Sequence, residues 1–391
     1  MSVRRVSTLA LASLVLSLAV LAACGGSTDD GGGTGIGGAG GGPIIIIGGG
    51  PDGSAGSGGG VIVDGDAACV AEPRAGEQIP LDLFFMVDKS GSMGCPVGAA
   101  GATCTNGPSP PPPVTRWTSI RDALNSFATD PASSGLGAGI AFFPQMNGTA
   151  LLCTPQDYAT PAAPIAALPG SSAALSAVLA AQTPNGSTPT VPALSGAMSY
   201  VTSYAQTHRG RTIAVVFATD GEPTQCTGNN NTIAGAVRVA AGAASATPPI
   251  KTYVLGVGPS LGNLNQIAQA GGSGQAYLVE SGGSQELLAA LNAIRKSALS
   301  CDYSIPILPG KPLDFSAVNI RVKVGASGAE QLISKVDGPS ACGAAGGWYY
   351  DNNLTPTRIT LCPATCSPML ATAGSRLTVL IGCRSVIIPP N

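Results

Sequence analysis

The chain has 391 residues, a formal net charge of -2 and only 10% charged residues, whereas ordinary soluble domains have about 25%. This composition leaves no strongly basic surface, which argues against a nucleic-acid partner. The 55 glycines and 32 prolines indicate that part of the length is linker or loop. The single histidine, His208, excludes zinc and iron sites that need several imidazoles.

The N-terminal segment has the pattern of an export signal. Two arginines precede an apolar stretch, Leu9 to Leu21, that is too short for a typical membrane span. The sequence LAAC that ends at Cys24 resembles the lipobox of bacterial lipoproteins. The resemblance implies a signal peptide at residues 1–23, lipidation of Cys24 and attachment to a membrane through that lipid. An ordinary signal peptide cut near Ala23 is the alternative.

The chain has eleven cysteines, and lipidation of Cys24 leaves an even number for disulfides. Paired thiols persist in an oxidising compartment, which agrees with export. The residue after Cys24 is Gly25 rather than the aspartate of some inner-membrane lipoproteins. We therefore predict a lipid-anchored protein of the cell envelope, at the outer membrane or cell surface.

Residues 24–68 form a predicted tether. About half of residues 25–60 are glycine, and such a segment cannot bury a core. Ile44 to Ile47 interrupts it, but four apolar residues are too few to span a bilayer.

Strand-like and helix-like segments alternate between residues 69 and 300. Short apolar runs predict strands that are covered on both faces, at 81–87, 139–143, 213–218, 252–257 and 276–279. Apolar residues at three- and four-residue steps predict helices around Trp117, Val191 and Leu287. This alternation predicts an α/β fold with a doubly wound, mainly parallel, Rossmann-like sheet.

Carboxylates and hydroxyls follow the ends of two of these strands. The first strand ends in DKSGS, which contributes Asp88, Ser90 and Ser92, and a later strand ends in ATDG, which contributes Asp220. Between them, GSTP at the entrance of a helix contributes Thr188. Ligands bind at the carboxyl ends of strands in such sheets. An all-oxygen donor set predicts a site for Mg²⁺, with Mn²⁺ or Ca²⁺ as alternatives.

The three segments LDLFFMVDKSGSM, NGSTPT and VVFATDGEP together resemble the von Willebrand factor type A (VWA) family and its metal ion-dependent adhesion site (MIDAS). The resemblance covers about residues 81–299. It implies that Ser90, Ser92 and Thr188 coordinate the metal directly, whereas Asp88 and Asp220 act largely through water. It also implies that a carboxylate from a partner completes the coordination. A loop of the same pattern without metal is the alternative.

A long loop, residues 94–115, follows the first metal segment. It contains Cys95 and Cys104, a candidate disulfide pair, and the proline run 110–113. The loop either contributes to ligand specificity or is a tolerated insertion. Cys153 pairing with Cys226 and Cys69 pairing with Cys301 are two further candidates, although spacing does not determine connectivity.

Three other features have competing interpretations. Lys89 either steers an acidic partner or is a solvated loop residue, and the latter is favoured. His208 is expected at a helix end, at the opposite end of the strand from Asp220, so we interpret it as a surface or capping residue. The sequence GWYY at 347–350 is either an exposed aromatic edge or part of a core.

Residues 301–391 predict a small disulfide-rich β domain. Strand-like runs occur at 318–324, 358–361 and 377–381, and none of the segment has a clear helical pattern. Cys362 and Cys366 are interpreted as cysteines of disulfides, with no pairing assigned, rather than as metal ligands.

We therefore predict a lipoprotein whose VWA domain binds a protein or extracellular matrix ligand that offers an acidic residue. On this interpretation the protein is not an enzyme. The alternative is an envelope-assembly scaffold in which the metal is only structural. A hydrolase in the C-terminal segment is a third, disfavoured hypothesis, because no histidine or nucleophile motif occurs there.

Overall fold

The computed structural model describes residues 61–62, 70–99, 114–308, 310, 312–372 and 374–386. The predicted signal peptide, the lipidation site Cys24 and nearly all of the predicted tether lie outside the described residues. Cys69, Cys104 and the proline run 110–113 lie outside them too, so the proposed Cys95–Cys104 pair stays a prediction.

The described residues form strands and helices that alternate up to residue 298. The strands are β1 Val61–Ile62, β2 Val70–Ala75, β3 Leu81–Asp88, β4 Gly137–Phe143, β5 Met146–Asn147, β6 Ala150–Leu151, β7 Ala163–Ala167, β8 Thr212–Thr219, β9 Lys251–Val257, β10 Tyr277–Val279, β11 Asp302–Ser304, β12 Val318–Lys323, β13 Glu330–Ile333, β14 Trp348–Tyr350, β15 Arg358–Leu361 and β16 Arg376–Ile381. The helices are α1 Arg116–Thr129, α2 Ser172–Ala180, α3 Thr190–Thr207, α4 Ile233–Ala244, α5 Leu264–Ala270, α6 Ser284–Ala298 and α7 Pro363–Ala371.

A six-stranded sheet forms the centre of the fold, in the order β10-β9-β8-β3-β4-β7. All neighbours are parallel except β7, which runs antiparallel to β4. Every residue of β3 is buried, as expected for a strand that is covered on both faces. The predicted α/β fold with a doubly wound, mainly parallel sheet is confirmed.

Helices cover both faces of this sheet. Apolar residues of α1, α2 and α6 pack on one face, and those of α3, α4 and α5 pack on the other. Helix α1 begins after a capping box in which Thr115 and Thr118 exchange side-chain and backbone hydrogen bonds. The cap fixes where α1 begins, and the amide of its first residue, Arg116, donates to the Cys95 carbonyl in the segment that follows β3.

The C-terminal segment is a disulfide-linked, mainly β region, as predicted. It contains a five-stranded sheet, β1-β2-β16-β12-β13, and a three-stranded sheet, β11-β15-β14. Disulfides join Cys301 to Cys366 and Cys342 to Cys362. The candidate Cys69–Cys301 pair is therefore wrong, because Cys301 is bonded to another cysteine.

Two details of this region differ from the sequence-based expectation. Residues Pro363–Ala371 form helix α7, although no helix was predicted there; Pro363 occupies the first turn, where proline is tolerated. Trp348 and Tyr350 are almost fully buried, so the GWYY sequence belongs to a core rather than to an exposed edge.

Strands from the N-terminal side of the α/β region complete the C-terminal sheet. Strand β2 pairs antiparallel with β16, and β1 pairs with β2. The predicted range 69–300 thus contains a strand that belongs to the C-terminal sheet, and the predicted tether is structured at Val61–Ile62. The other domain limits stay predictions. Among the described residues, no helix is both long and apolar enough to cross a bilayer.

Candidate metal centre

The five residues of the predicted metal site lie at one edge of the central sheet. Strands β3 and β8 are parallel neighbours, with Val87 opposite Ala218. Asp88 ends β3 and Asp220 directly follows β8, so the two carboxylates come from adjacent strand ends. We call this edge, formed by residues 88–92, 186–190 and 219–224, the carboxyl edge.

Hydrogen bonds join the three segments of the carboxyl edge. The Gly91 amide donates to the Gly186 carbonyl at 2.9 Å, and the Ser92 hydroxyl donates to Oδ1 of Asp220 at 2.8 Å. The hydroxyl oxygens of Ser90 and Ser92 lie 3.1 Å apart. Ser90, Ser92 and Asp220 therefore form one continuous polar cluster.

Asp88 is a fully buried carboxylate next to this cluster. Its Oδ1 accepts from the Ser90 amide at 2.7 Å, and its Oδ2 accepts from the Thr219 hydroxyl at 2.6 Å. Burial, and then the nearby charge of Asp220, raise the pKa of Asp88 to about 7. A cation bound at this edge would offset both unfavourable contributions.

Thr188 lies on the third segment, just before α3, and is 5% exposed. Its amide donates to the Thr224 hydroxyl at 2.8 Å, and its carbonyl accepts from the Thr224 amide at 3.0 Å. A methyl group placed on Gly221 would lie 4.0 Å from the Thr188 hydroxyl oxygen. The hydroxyl therefore lies near the backbone that follows Asp220.

These donors fit a hard divalent cation. Two carboxylates and three hydroxyls supply oxygen alone, which is the ligand type that Mg²⁺ and Mn²⁺ accept. Ser92 and Gly221 are partly exposed, so the cluster is open to solvent on one side. Within the described part of the chain, no group of three or more His, Cys, Asp or Glu side chains could hold a metal. A metal at the carboxyl edge therefore depends on the hydroxyls.

Arg116 is a residue of the site that sequence reasoning missed. Its Nη1 donates to Oδ2 of Asp220 at 2.7 Å, and the two side chains are 7% and 0% exposed. Burial raises the pKa of Asp220, whereas the hydrogen bond from Arg116 opposes that shift. The sequence does not indicate this contact. The long loop separates Arg116 from the first metal segment, so Arg116 is not part of any of the three motif segments.

Thr219 is a second residue that was missed. Its hydroxyl donates to the Asp88 carboxylate, so it joins the ends of β8 and β3. A signal was present in this case, since Thr219 directly precedes Asp220 at the end of a predicted strand.

The structure also places the residues that had competing interpretations. Lys89 is half-buried, and burial lowers its pKa while the Asp88 carboxylate opposes that change. His208 is exposed and caps the end of α3, and it precedes β8, whereas Asp220 follows it. The interpretation of His208 as a surface or capping residue is therefore confirmed.

A disulfide is attached to the loop that continues from the carboxyl edge after residue 224. Cys153, in the segment after β4, is bonded to Cys226, which follows the Asp220 segment, so this candidate pair is confirmed. Gln225 and Cys226 have positive φ angles of 62° and 61°. Two consecutive non-glycine residues with positive φ angles are uncommon, and the disulfide holds the loop in this conformation.

Neither a known protein family nor a curated protein matches the sequence. Solved structures give weak similarities. BatB from Bacteroides thetaiotaomicron has 17% identity, covers 56% of this chain and 98% of its own, and has a TM-score of 0.37.

Two further structures have 14% identity to this chain. Manganese-loaded TRAP protein from Plasmodium vivax covers 76% of this chain and 98% of its own, at a TM-score of 0.36. Proximal thread matrix protein 1 from the mussel byssus covers 58% of this chain at a TM-score of 0.38, and the match spans 50% of the mussel protein. Similarities at these TM-scores support neither a function nor a metal in this chain.

Proposed function

We propose that the carboxyl edge is a divalent-metal site of the VWA type through which the protein binds an acidic residue of a protein or matrix ligand. The observation that carries the proposal is the convergence of Asp88, Ser90, Ser92, Thr188 and Asp220 at adjacent strand and helix ends. Ser90, Ser92 and Thr188 supply neutral oxygens to the metal, and the two aspartates supply charge. A bound metal with an open position would offer a Lewis-acid contact to a partner carboxylate.

The scaffold alternative assigns the metal a purely structural role, and the hydrogen bonds of the edge argue against it. Gly91 is already bonded to Gly186, and Ser92 is already bonded to Asp220. Because protein groups alone join the three segments, a metal is not needed to order them. We therefore favour a role of the metal in ligand binding.

The proposal includes no catalysis at this edge. Ser90 would need a base to act as a nucleophile, and the only histidine of the chain, His208, lies at the other end of β8. The Ser90 hydroxyl instead contacts the Ser92 hydroxyl.

Calorimetric titration of the purified protein with Mg²⁺ tests the metal site. We expect saturable binding that disappears in the double variant Asp88→Ala/Asp220→Ala, with thermal melts showing that both proteins are folded. The matched control is Asp122→Ala/Asp337→Ala, which removes two exposed carboxylates and the same net charge. Absence of binding by the folded parent would refute the proposal.

Attachment through Cys24 is a separate part of the proposal and rests on the sequence: the export-signal pattern, LAAC at Cys24 and the even number of remaining cysteines. Cells that express the protein and are fed radiolabelled palmitate should label it, and Cys24→Ser should remove the label. Equal labelling of the variant would refute lipidation at this residue.

A chelator distinguishes the adhesion role from the scaffold role. Ligand binding should be lost on chelation only if the metal serves adhesion.

A further inference from the structure

We infer that Arg116 is an internal counter-cation of the metal site, which weakens metal binding and leaves the loaded site positive towards a partner carboxylate. This inference rests on the proposed function. Arg116 acts through Asp220 and is a positioning residue rather than a metal ligand.

The first support is that the Asp220 carboxylate is shared between Ser92 of the metal site and Arg116. Oδ1 of Asp220 accepts from the Ser92 hydroxyl at 2.8 Å, and Oδ2 accepts from Arg116 Nη1 at 2.7 Å. Both members of the ion pair are buried, so solvent screens their interaction little. The guanidinium thus neutralises a carboxylate that belongs to the metal site.

The second support is the position of Arg116 in its own helix. It is the first residue of α1, where the partial positive charge of a helix N-terminus disfavours a cation. Asp220 is its only carboxylate partner among the described residues. The helix therefore provides no reason for an arginine here, whereas the metal site does.

The third support is the space that surrounds the guanidinium. Its Nη2 donates to the Ala99 carbonyl, and its Nε has no hydrogen-bond partner within the described residues. Gly258 has a φ of +117°, and a methyl group placed there would lie 3.1 Å from Nε. The backbone at Gly258 thus lies close to the guanidinium, and a side chain at residue 258 would crowd it.

The charge balance gives the consequence. With both aspartates ionised, Asp88, Asp220 and Arg116 together carry one net negative charge, so a divalent cation brings this group of residues to a net positive charge. Without Arg116 the same site would attract the metal more strongly and would be neutral when loaded. An arginine in this position therefore lowers the affinity for the metal and increases the attraction of the loaded site for an anionic partner.

The test compares charge with shape at residue 116 of the full protein, by calorimetric titration with Mn²⁺. Because removal of one nearby positive charge lowers repulsion of the cation, Arg116→Gln should bind Mn²⁺ about tenfold more tightly. Arg116→Lys keeps the charge, so its affinity should stay within about threefold of the parent. Arg121→Gln, on the same helix with a partly exposed ion pair, is the matched control and should change affinity by less than about twofold.

A probe of the loaded site tests the second half of the inference. Acetate should bind the Mn²⁺-loaded parent at a concentration about threefold lower than Arg116→Gln requires, since the parent site keeps its net positive charge. Electron paramagnetic resonance of bound Mn²⁺ gives the readout. Equal acetate affinity in the two proteins would overturn this half.

A measurement on the parent covers the case in which Arg116→Gln does not fold. The side-chain ¹⁵N–¹H signal of Arg116, assigned with Arg116→Lys, should shift when Mg²⁺ saturates the site, because the metal and the guanidinium share Asp220. An unmoved signal, or a folded Arg116→Gln that binds Mn²⁺ no more tightly than the parent, would overturn the inference while the metal site stands. A parent that binds no metal would instead refute the proposed function and the inference together.

Discussion

The two ends of the central sheet both bury an aspartate, but they surround it differently. At the amino end, Asp82 is fully buried and accepts two hydrogen bonds from Arg211, each of 2.5 Å, and one from the Tyr204 hydroxyl at 3.1 Å. At the carboxyl edge, Asp88 is equally buried, but its hydrogen-bond donors among the described residues are uncharged groups of Ser90 and Thr219.

The difference lies in the counter-charge. Asp82 has a bidentate arginine, which is a complete and strong pairing for a carboxylate. Asp88 accepts no hydrogen bond from a cationic side chain among the described residues, and the charge of the neighbouring Asp220 disfavours its ionised form. The charge of Asp82 is compensated within the fold, whereas a buried aspartate with no cation hydrogen-bonded to it is a candidate for a binding site.

The largest effect is expected from breaking the disulfide of the loop that follows the carboxyl edge. Cys153→Ser/Cys226→Ser removes a link between residues 73 apart, which should lower the free energy of unfolding by about 4 kcal/mol through the greater entropy of the unfolded chain. Urea unfolding under non-reducing conditions measures it. Cys342→Ser/Cys362→Ser is the control; it opens a separation of 20 residues and should cost about 1 kcal/mol less. Equal or reversed effects would contradict the loop-entropy argument.

The next largest effect is expected at the amino end. Asp82→Asn removes the charge that pairs with Arg211 and should destabilise the protein by about 2–3 kcal/mol, because a partly buried guanidinium loses its partner. Mg²⁺ affinity should not change, since the residue lies at the far end of the sheet.

Glu72→Ala is the control for this substitution. It breaks the exposed Glu72–Arg74 pair and should change the free energy of unfolding by less than about 0.5 kcal/mol. A folded Asp82→Asn protein that no longer binds Mg²⁺ would show that the two ends are not independent.

An aspartate-to-asparagine substitution at the carboxyl edge should change the free energy of unfolding in the opposite direction to Asp82→Asn. Asp88→Asn removes one of two neighbouring buried negative charges, so in EDTA it should raise the free energy of unfolding by about 1–2 kcal/mol. The parent should gain about 2.7 kcal/mol from Mg²⁺ at a hundred times its Kd, and the variant should gain none. Chemical unfolding with and without Mg²⁺ measures both values. Destabilisation of Asp88→Asn in EDTA would mean that its carboxylate is as well paired as that of Asp82.

Local patterns in the sequence were enough to predict five of the six strands of the central sheet, all but β7, and to place the metal residues at strand and helix ends. The apolar run at 81–87 fits a strand that is covered on both faces, and the polar residues after it then lie at the carboxyl end of that strand. The same reasoning placed Asp220 at the equivalent end of another strand, whereas the adjacency of β3 and β8 came from the structure.

Features that depend on distant packing were not predictable. Arg116 reaches Asp220 only because α1 begins beside the carboxyl end of β8, and no local pattern encodes that distance. Helix α4 was not predicted; its buried residues, Gly235, Ala236 and Ala240, are small and do not form a run of large apolar side chains. The pairing of β2 with β16 joins residues about 300 positions apart and left no trace in either segment.

The smallest effect is expected at His208, the one imidazole of the chain. Its ring stacks on Tyr204 at a centroid distance of 3.7 Å, and it is exposed at the end of α3. Exposed stacking contributes little, so His208→Ala should lower the free energy of unfolding by less than about 0.5 kcal/mol and leave Mg²⁺ affinity unchanged. Tyr204→Phe removes the hydroxyl that donates to the buried Asp82 and should cost about 1 kcal/mol in the same unfolding experiment. If His208→Ala abolished Mg²⁺ binding in a folded protein, the amino end would be part of the functional site, and the contrast between the two ends would fail.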